Sequence, residues 1–298
     1  PPHQRPSIDP CQPNKMSVRL NLCPKHLHRF VMTALPTPTS DQPIPLDQPL
    51  PHRKTLREWL IPLSERSTVR AFVLLILDYA LFFSLITGTI ALDAVWAKVL
   101  CALAAGFVIG RLFIIGHDAC HQSLTPHREL NKVLGRIAFL PSLTPYSLWD
   151  TGHNVVHHGY TNLKGVDFVW TPLTATEFEA LSPMQRLLQR AYRSGWAPGL
   201  YYMIEIWWKR EFFPNKTHMP TRRPIFFKDS LLVSVFAAFW IATVAAAAVY
   251  TGQSVWLSLL LGFAVPFFFW NTMIGFVVYV HHTHVKVSWH DNKAAWTK

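Results

Sequence analysis

Four apolar runs, each about as long as a bilayer is thick, leave this chain few ways to fold. They cover roughly Ala71–Ala91, Val95–Ile115, Asp229–Tyr250 and Ser254–Val280. A helix of about twenty residues crosses the roughly 30 Å of a hydrocarbon core. Inside that core a segment must satisfy its own backbone hydrogen bonds, so each run is expected to be a helix. The first is broken only by Asp78, which should face other helices rather than lipid. The links at Asp93 and at Thr251-Gly252-Gln253 are too short for anything but hairpins. The expected fold class is an all-α membrane protein: four transmembrane helices as two hairpins, with a mainly helical, histidine-rich region on the cytoplasmic side.

Charge fixes the expected orientation. The formal net charge is +11, a value that alone would suit nucleic acid. However, twelve Lys and Arg lie in residues 117–226, among them Arg128, Lys132, Arg136, Arg186, Arg190, Lys209, Arg222 and Arg223, and the short links carry almost none. By the positive-inside rule the 117–226 connection and both termini are cytoplasmic. Anionic headgroups account for the basic excess, and no nucleic-acid partner is expected. Within that connection Val133–Trp149 is too short and too Pro-broken to span, and is expected at the interface. Residues 56–66 read as an amphipathic lead-in lying in the same layer.

Residues 1–55 read as a disordered arm, with twelve of the 23 prolines before residue 52. His3, His26, His28 and His52 lie in it and are read as solvated. The sequence starts at Pro1, and the lead-in after Met32 resembles an ordinary N-terminus, so residues 1–31 are read as an upstream extension without function. The membrane domain is then 56–298. No signal-peptide pattern is present. Cys11, Cys23, Cys101 and Cys120 make no CxxC pair and are read as free thiols in a reducing compartment, Cys120 as a small filler.

Eight of the fifteen histidines fall in three short clusters: His117 and His121; His153, His157 and His158; His281, His282 and His284. Counting spans brings all three to one membrane face, because two hairpins return the chain to its starting side. His117 and His121 are four apart, as are His153 and His157, so each pair shares one side of a helix. His158 lies about 100° round from His157 on an α-helix, aimed at a second metal ion. Histidines beside a membrane are costly unless water, a partner or a metal satisfies them. The expected metal ligands are His117, His121, His153, His157 and His158, which also carry the catalysis, with His281 and His284 added from beyond the last span. His127, His218 and His290 have no partner at ligand spacing and are read as surface residues. Imidazole suits Zn, Cu, Fe and Ni. No H-E-x-x-H protease signature and no Glu-x-x-His pair of the soluble di-iron type is present. An all-nitrogen, two-metal site in a membrane suits oxygen chemistry on a lipid better than hydrolysis. Nothing in the physics selects desaturation over hydroxylation.

The pattern resembles the integral-membrane fatty acid desaturases, particularly the acyl-lipid, omega-6-like type of bacteria and plastids. The first box reads His117-Asp118-Ala119-Cys120-His121. The second comes with Trp149, His153-Asn154, His157-His158, Thr161-Asn162, Gly165, Asp167, Trp170 and Pro172, and Tyr279–His284 matches the stretch after the fourth span, with Val285 where Pro is usual. The resemblance covers about residues 55–298. It implies two iron ions that activate O₂ and remove two hydrogens from a fatty acyl lipid, with electrons from ferredoxin or a cytochrome b5-type donor. No fused haem-binding segment is visible, so the donor would be a separate protein, and the protein a multi-pass one of the bacterial inner membrane. By the same resemblance Asn154, Thr161, Asn162 and Asp167 would position the ligands, while Asn271 is read as core packing. The family carries a third box, HxxHH, which is not present before Lys298. The expectation is that this sequence is truncated and, as written, inactive. Two other readings stay open: a histidine-box hydroxylase or ketolase acting on a lipid or carotenoid, and a non-catalytic four-span metal-binding or transport protein. A transporter should place its ligands near the midplane of the bilayer.

Overall fold

The computed structural model describes residues 52–296, apart from Phe213, Pro220 and Val285. The expected arm, including residues 1–31, lies outside the described residues as far as Pro51. Arg53–Leu60 forms a short helix with no buried residue.

Four helices are long and apolar enough to cross a membrane: Thr68–Ala91, Val95–Cys120, Pro224–Tyr250 and Val255–His282. Local chemistry sets their ends. The Ser67 hydroxyl accepts from the Arg70 N–H at 3.3 Å, capping the first. Pro224 opens the third, where its missing N–H costs nothing. The fourth widens into a π-turn over Leu260–Ala264, just before Pro266, which has no N–H to give to the preceding turn. The second helix runs five residues past the expected boundary at Ile115, so the first histidine box rides on its last turns. No strand occurs among the described residues, only an isolated bridge between Leu163 and His290.

Each end of the bundle is fastened by a buried charge. At the hairpin links the Lys98 ammonium is 3% exposed and donates to Ile90 O at 3.0 Å and to Gln253 Oε1 at 2.9 Å, tying one hairpin to the other. Asp78 faces the bundle as expected, accepting from Arg111 Nε at 2.8 Å. At the opposite end Arg136 grips both oxygens of buried Asp229, at 2.8 and 3.3 Å. Asp229 also accepts the Ser147 N–H at 2.9 Å.

Of the segment expected at the interface, Val133–Trp149, the second half is buried within the protein, while Val133 and Ile137 are exposed. After the helix Arg128–Phe139, every residue from Pro141 to Trp149 is buried. Phe139 sits directly against Gly116, and Phe113 packs against Phe139 at 4.8 Å, Trp149 at 5.5 Å and Trp270 at 4.6 Å between ring centres. The sequence offers an amphipathic surface there; the aromatic contacts with the second and fourth spans draw it inward. On the other side of the fourth span, Gly199 and Gly275 bring two backbones together: a Cβ on Gly275 would lie 2.5 Å from Pro198 O.

Lys98→Met keeps the stem and removes the ammonium, leaving Ile90 O and Gln253 Oε1 without their donor. Each unsatisfied acceptor costs about 1–3 kcal/mol, so the detergent-solubilised protein should melt several degrees lower than wild type. An unchanged melting temperature would show that the two hairpins are not held by this contact.

Candidate metal centre

The site is built where the second span ends and a short helix, Tyr146–Asp150, continues into a π-helical turn over Thr151–His157. The π-turn decides which histidines meet. The His158 N–H donates to His153 O at 2.9 Å, an i to i+5 bond. This brings the His153 and His158 Nε2 atoms to 3.0 Å, whereas the His153 and His157 ring centres are 5.7 Å apart. Regular α-helical spacing would have paired His153 with His157 and turned His158 away. Gly159 follows for a steric reason: a Cβ there would strike Val155 O.

His117 and His121 approach from the second span with ring centres 4.4 Å apart. His153 lies 5.1 and 5.2 Å from them, and His158 5.1 Å from His121. One nitrogen from each of His117, His121 and His153 falls within 4.8 Å of the others, a geometry that could hold a metal ion. Trp149 stacks on His153 at 4.2 Å and 22°, fixing its plane. Asn154 bridges the two boxes, donating to Cys120 O at 3.1 Å and Asp150 Oδ1 at 2.6 Å. Its own Oδ1 is buried without a partner among the described residues.

His157 faces a different neighbour. Its Nδ1 lies 3.0 and 3.1 Å from the two Asp167 oxygens, so the N–H is on Nδ1 and the Nε2 lone pair is free. Asp167 is 1% exposed and also accepts the Asn162 N–H at 2.8 Å and the Val169 N–H at 3.1 Å. The loop reaches this geometry through left-handed residues at Asn162 (φ 62°) and Gly165 (φ 83°), residue types that tolerate it. Across from His157, at 5.2 Å between ring centres, is His282. Its Nδ1 meets Val278 O at 2.6 Å, again leaving Nε2 free. Of the two site residues expected beyond the last span, His281 and His284 are both exposed, and His284 Nδ1 accepts the Lys286 N–H at 3.2 Å. Of these three histidines, His282 is the one whose ring turns towards His157, its Nδ1 held by the Val278 carbonyl one turn back. His127 is exposed, and His290 is tied by its backbone to Asn162 and Lys164.

The donor set fits a cation. Burial, then the neighbouring imidazoles, pushes His153 down to about 2, and the same causes lower His121 and His158. These rings are neutral at neutral pH and offer lone pairs. Burial alone would raise the Asp167 carboxyl, but its hydrogen bonds from His157, Asn162 and Val169 outweigh that and hold it below the usual range. It is therefore an anion beside His157, and makes that imidazole a stronger donor to a metal.

Residues 93–297 match the sequence profile of the family described as Fatty acid desaturase. The chain is 28% identical over 263 residues to an sn-1 acyl-lipid omega-3 desaturase (ferredoxin) of Synechocystis sp., covering 85% of this chain and 70% of that protein. It is 27% identical to a protein of the same description from Nostoc sp., covering 65% of this chain and 52% of that one. A fatty acid desaturase of Bacillus subtilis is 31% identical over 154 residues, 50% of this chain and 43% of that protein. The chain thus spans about half the length of the second and third of these relatives.

Two outcomes test the site. Asp167→Asn removes the anion that orients His157, and loss of such a partner typically lowers metal affinity about 10–100-fold; competition with a chelator should show it, and unchanged affinity would separate Asp167 from the metal. For the metal-free protein, His153 is neutral when folded and titrates near 6.5 when unfolded. Below that value the unfolded state binds more protons, so this stability is complete above about pH 7 and falls as pH drops, by about 1.4 kcal/mol at pH 5.5 from His153 alone. Melting temperatures between pH 7.5 and 5.5 should fall, and His153→Ala should flatten the slope.

Proposed function

The chain belongs to the fatty acid desaturase family, and on that premise we propose that it removes two hydrogens from the acyl chain of a lipid in an O₂-dependent reaction at a pair of histidine-held iron ions. The observation that carries the reading is the convergence of His117 and His121, at the end of a helix of membrane length, with His153 of the π-turn, their nitrogens within 4.8 Å. These three, with His158, are the residues assigned to one ion. His157 and His282, each with its Nδ1 engaged and Nε2 free, are assigned to the other. His281 and His284, exposed in the structure, stay outside this assignment.

Iron held there would supply the one-electron chemistry that couples O₂ reduction to removal of unactivated hydrogens. The balance is one acyl –CH₂–CH₂–, one O₂, two electrons and two protons giving –CH=CH– and two waters. The chain's own part is to hold and orient. Trp149 fixes the His153 plane, Asp167 fixes the His157 tautomer, and Asn154 keeps the first box in register with the second. The electrons come from a separate protein of the ferredoxin or cytochrome b5 class; two relatives carry ferredoxin in their descriptions, which supports the first. The basic 117–226 connection supports a cytoplasmic site in a bacterial inner membrane. The histidines lie at the ends of the second and fourth spans or in the connection between spans, not midway along them, which argues against a transport path.

In the native full-length protein, cells fed labelled fatty acid should yield lipid two hydrogens lighter with a new double bond. Lipid that has gained an oxygen instead would make the protein a hydroxylase. His153→Ala should lower iron content and abolish product while the amount of protein in the membrane is unchanged; His127→Ala should match wild type. Product formed at the wild-type rate by His153→Ala would remove this cluster from the reaction.

A further inference from the structure

A second feature lies away from the histidines, where the third span enters the membrane. A groove of ≈ 520 Å³ opens there, within the roughly 300–1,000 Å³ of clefts that hold small molecules. Its floor is buried Leu148 and Phe226, its outer wall exposed Phe227 and Leu231, and Arg222 and Arg223 stand at its mouth. Both arginines are exposed, and neither forms an ion pair with a carboxylate among the described residues. The nearest strong acid on this helix, Asp229, is committed to Arg136.

The geometry points to a binding site for an anionic glycerophospholipid, with its phosphate on Arg222 and Arg223 and one acyl chain along the third span. Three observations converge. The arginine pair directly precedes Pro224, the first residue of a membrane-length helix, which sets the guanidinium groups at headgroup depth. From there the groove continues past Phe227, Ser230 and Leu231 to Ser234, residues on one side of the helix, for about 10 Å of rise. The deeper hydroxyl on that stretch is satisfied within the helix, Ser234 Oγ donating to Ser230 O at 2.8 Å, and Phe226, Phe227 and Leu231 supply carbon around it. A peptide laid there would leave backbone polar groups in the apolar layer, whereas an acyl chain has none. Two exposed arginines above an apolar slot, with no carboxylate in ion-pair contact among the described residues, thus match a phosphate joined to a hydrocarbon tail; Arg223 also lies over the Phe226 ring at 6.0 Å. The assignment is independent of the reaction proposed above, because no histidine lines the groove.

The test uses the full chain in detergent, incubated with equimolar phosphatidylglycerol and phosphatidylcholine of identical acyl chains. Lipid retained after gel filtration is then counted by mass spectrometry. Two arginines near an anionic headgroup favour it by roughly tenfold or more, so phosphatidylglycerol should be retained in at least that excess. The double variant Arg222→Gln/Arg223→Gln should bring the ratio near unity. Ser230→Phe keeps both charges but fills the slot, and should lower retention of phosphatidylglycerol as far; Ser234→Phe, one turn deeper, replaces it if Ser230→Phe does not elute as wild type. Equal retention of the two lipids, or a preference that survives the arginine changes, would overturn the proposal. So would loss with the arginine pair while both groove-filled variants retain lipid, which describes a surface contact. Displacement of the lipid by inorganic phosphate would overturn it as well, leaving a free-anion site.

Discussion

The carboxylate of Asp229 holds the site region to the membrane bundle. It is buried near the start of the third span and meets two elements at once: the Arg136 guanidinium and the Ser147 backbone N–H. Arg136 closes the helix that follows the first histidine box, and Ser147 opens the one that leads into the second. A buried charge left without its partner costs about 3–5 kcal/mol, so the segment between the boxes has one low-energy seat. With that seat fixed, Trp149 reaches His153, and Asn154 reaches Cys120 at the end of the second span. The arrangement of the histidines thus leans on an ion pair in which none of them takes part.

Much of this was legible in the sequence because membrane-length apolar runs carry their own structural rule. The four helices, the two hairpins and the gathering of His117, His121 and His153 on one face follow from counting residues per span. The inward position of Asp78 follows from the cost of a lone carboxylate in lipid. Three things were not legible. Within Val133–Trp149, read as interfacial, the burial of Pro141–Trp149 against the protein comes from aromatic contacts of Phe113 and Phe139 that no local pattern announces. That His282, rather than His281 or His284, faces His157 depends on the phase of a helix containing an irregular turn, which spacing counted from its end does not supply. The Lys98 latch joins residues 155 positions apart in the chain and has no local signature.

The π-turn over Thr151–His157 matters most for the chemistry. A regular helix offers neighbours at three and four residues, and five residues apart is off its face. Widening the turn puts His158 beside His153 and releases His157 to meet Asp167 and His282. One short stretch therefore presents its histidines in two directions, with His158 rather than His157 beside His153. π-turns are rare and are found disproportionately at functional sites.

The final residues described bear on how such a protein is assembled. His290 exchanges backbone hydrogen bonds with Asn162 and Lys164, and the Trp296 indole N–H donates to Thr161 O. Asn162 in turn gives its N–H to Asp167, the residue that sets the His157 tautomer. The loop that shapes this half of the site is thus braced by a strand of chain that leaves the ribosome more than a hundred residues after it. During synthesis the first two histidine boxes are made before the fourth helix has entered the bilayer and before that brace exists. The brace on that loop can therefore form only after the last hairpin has been made.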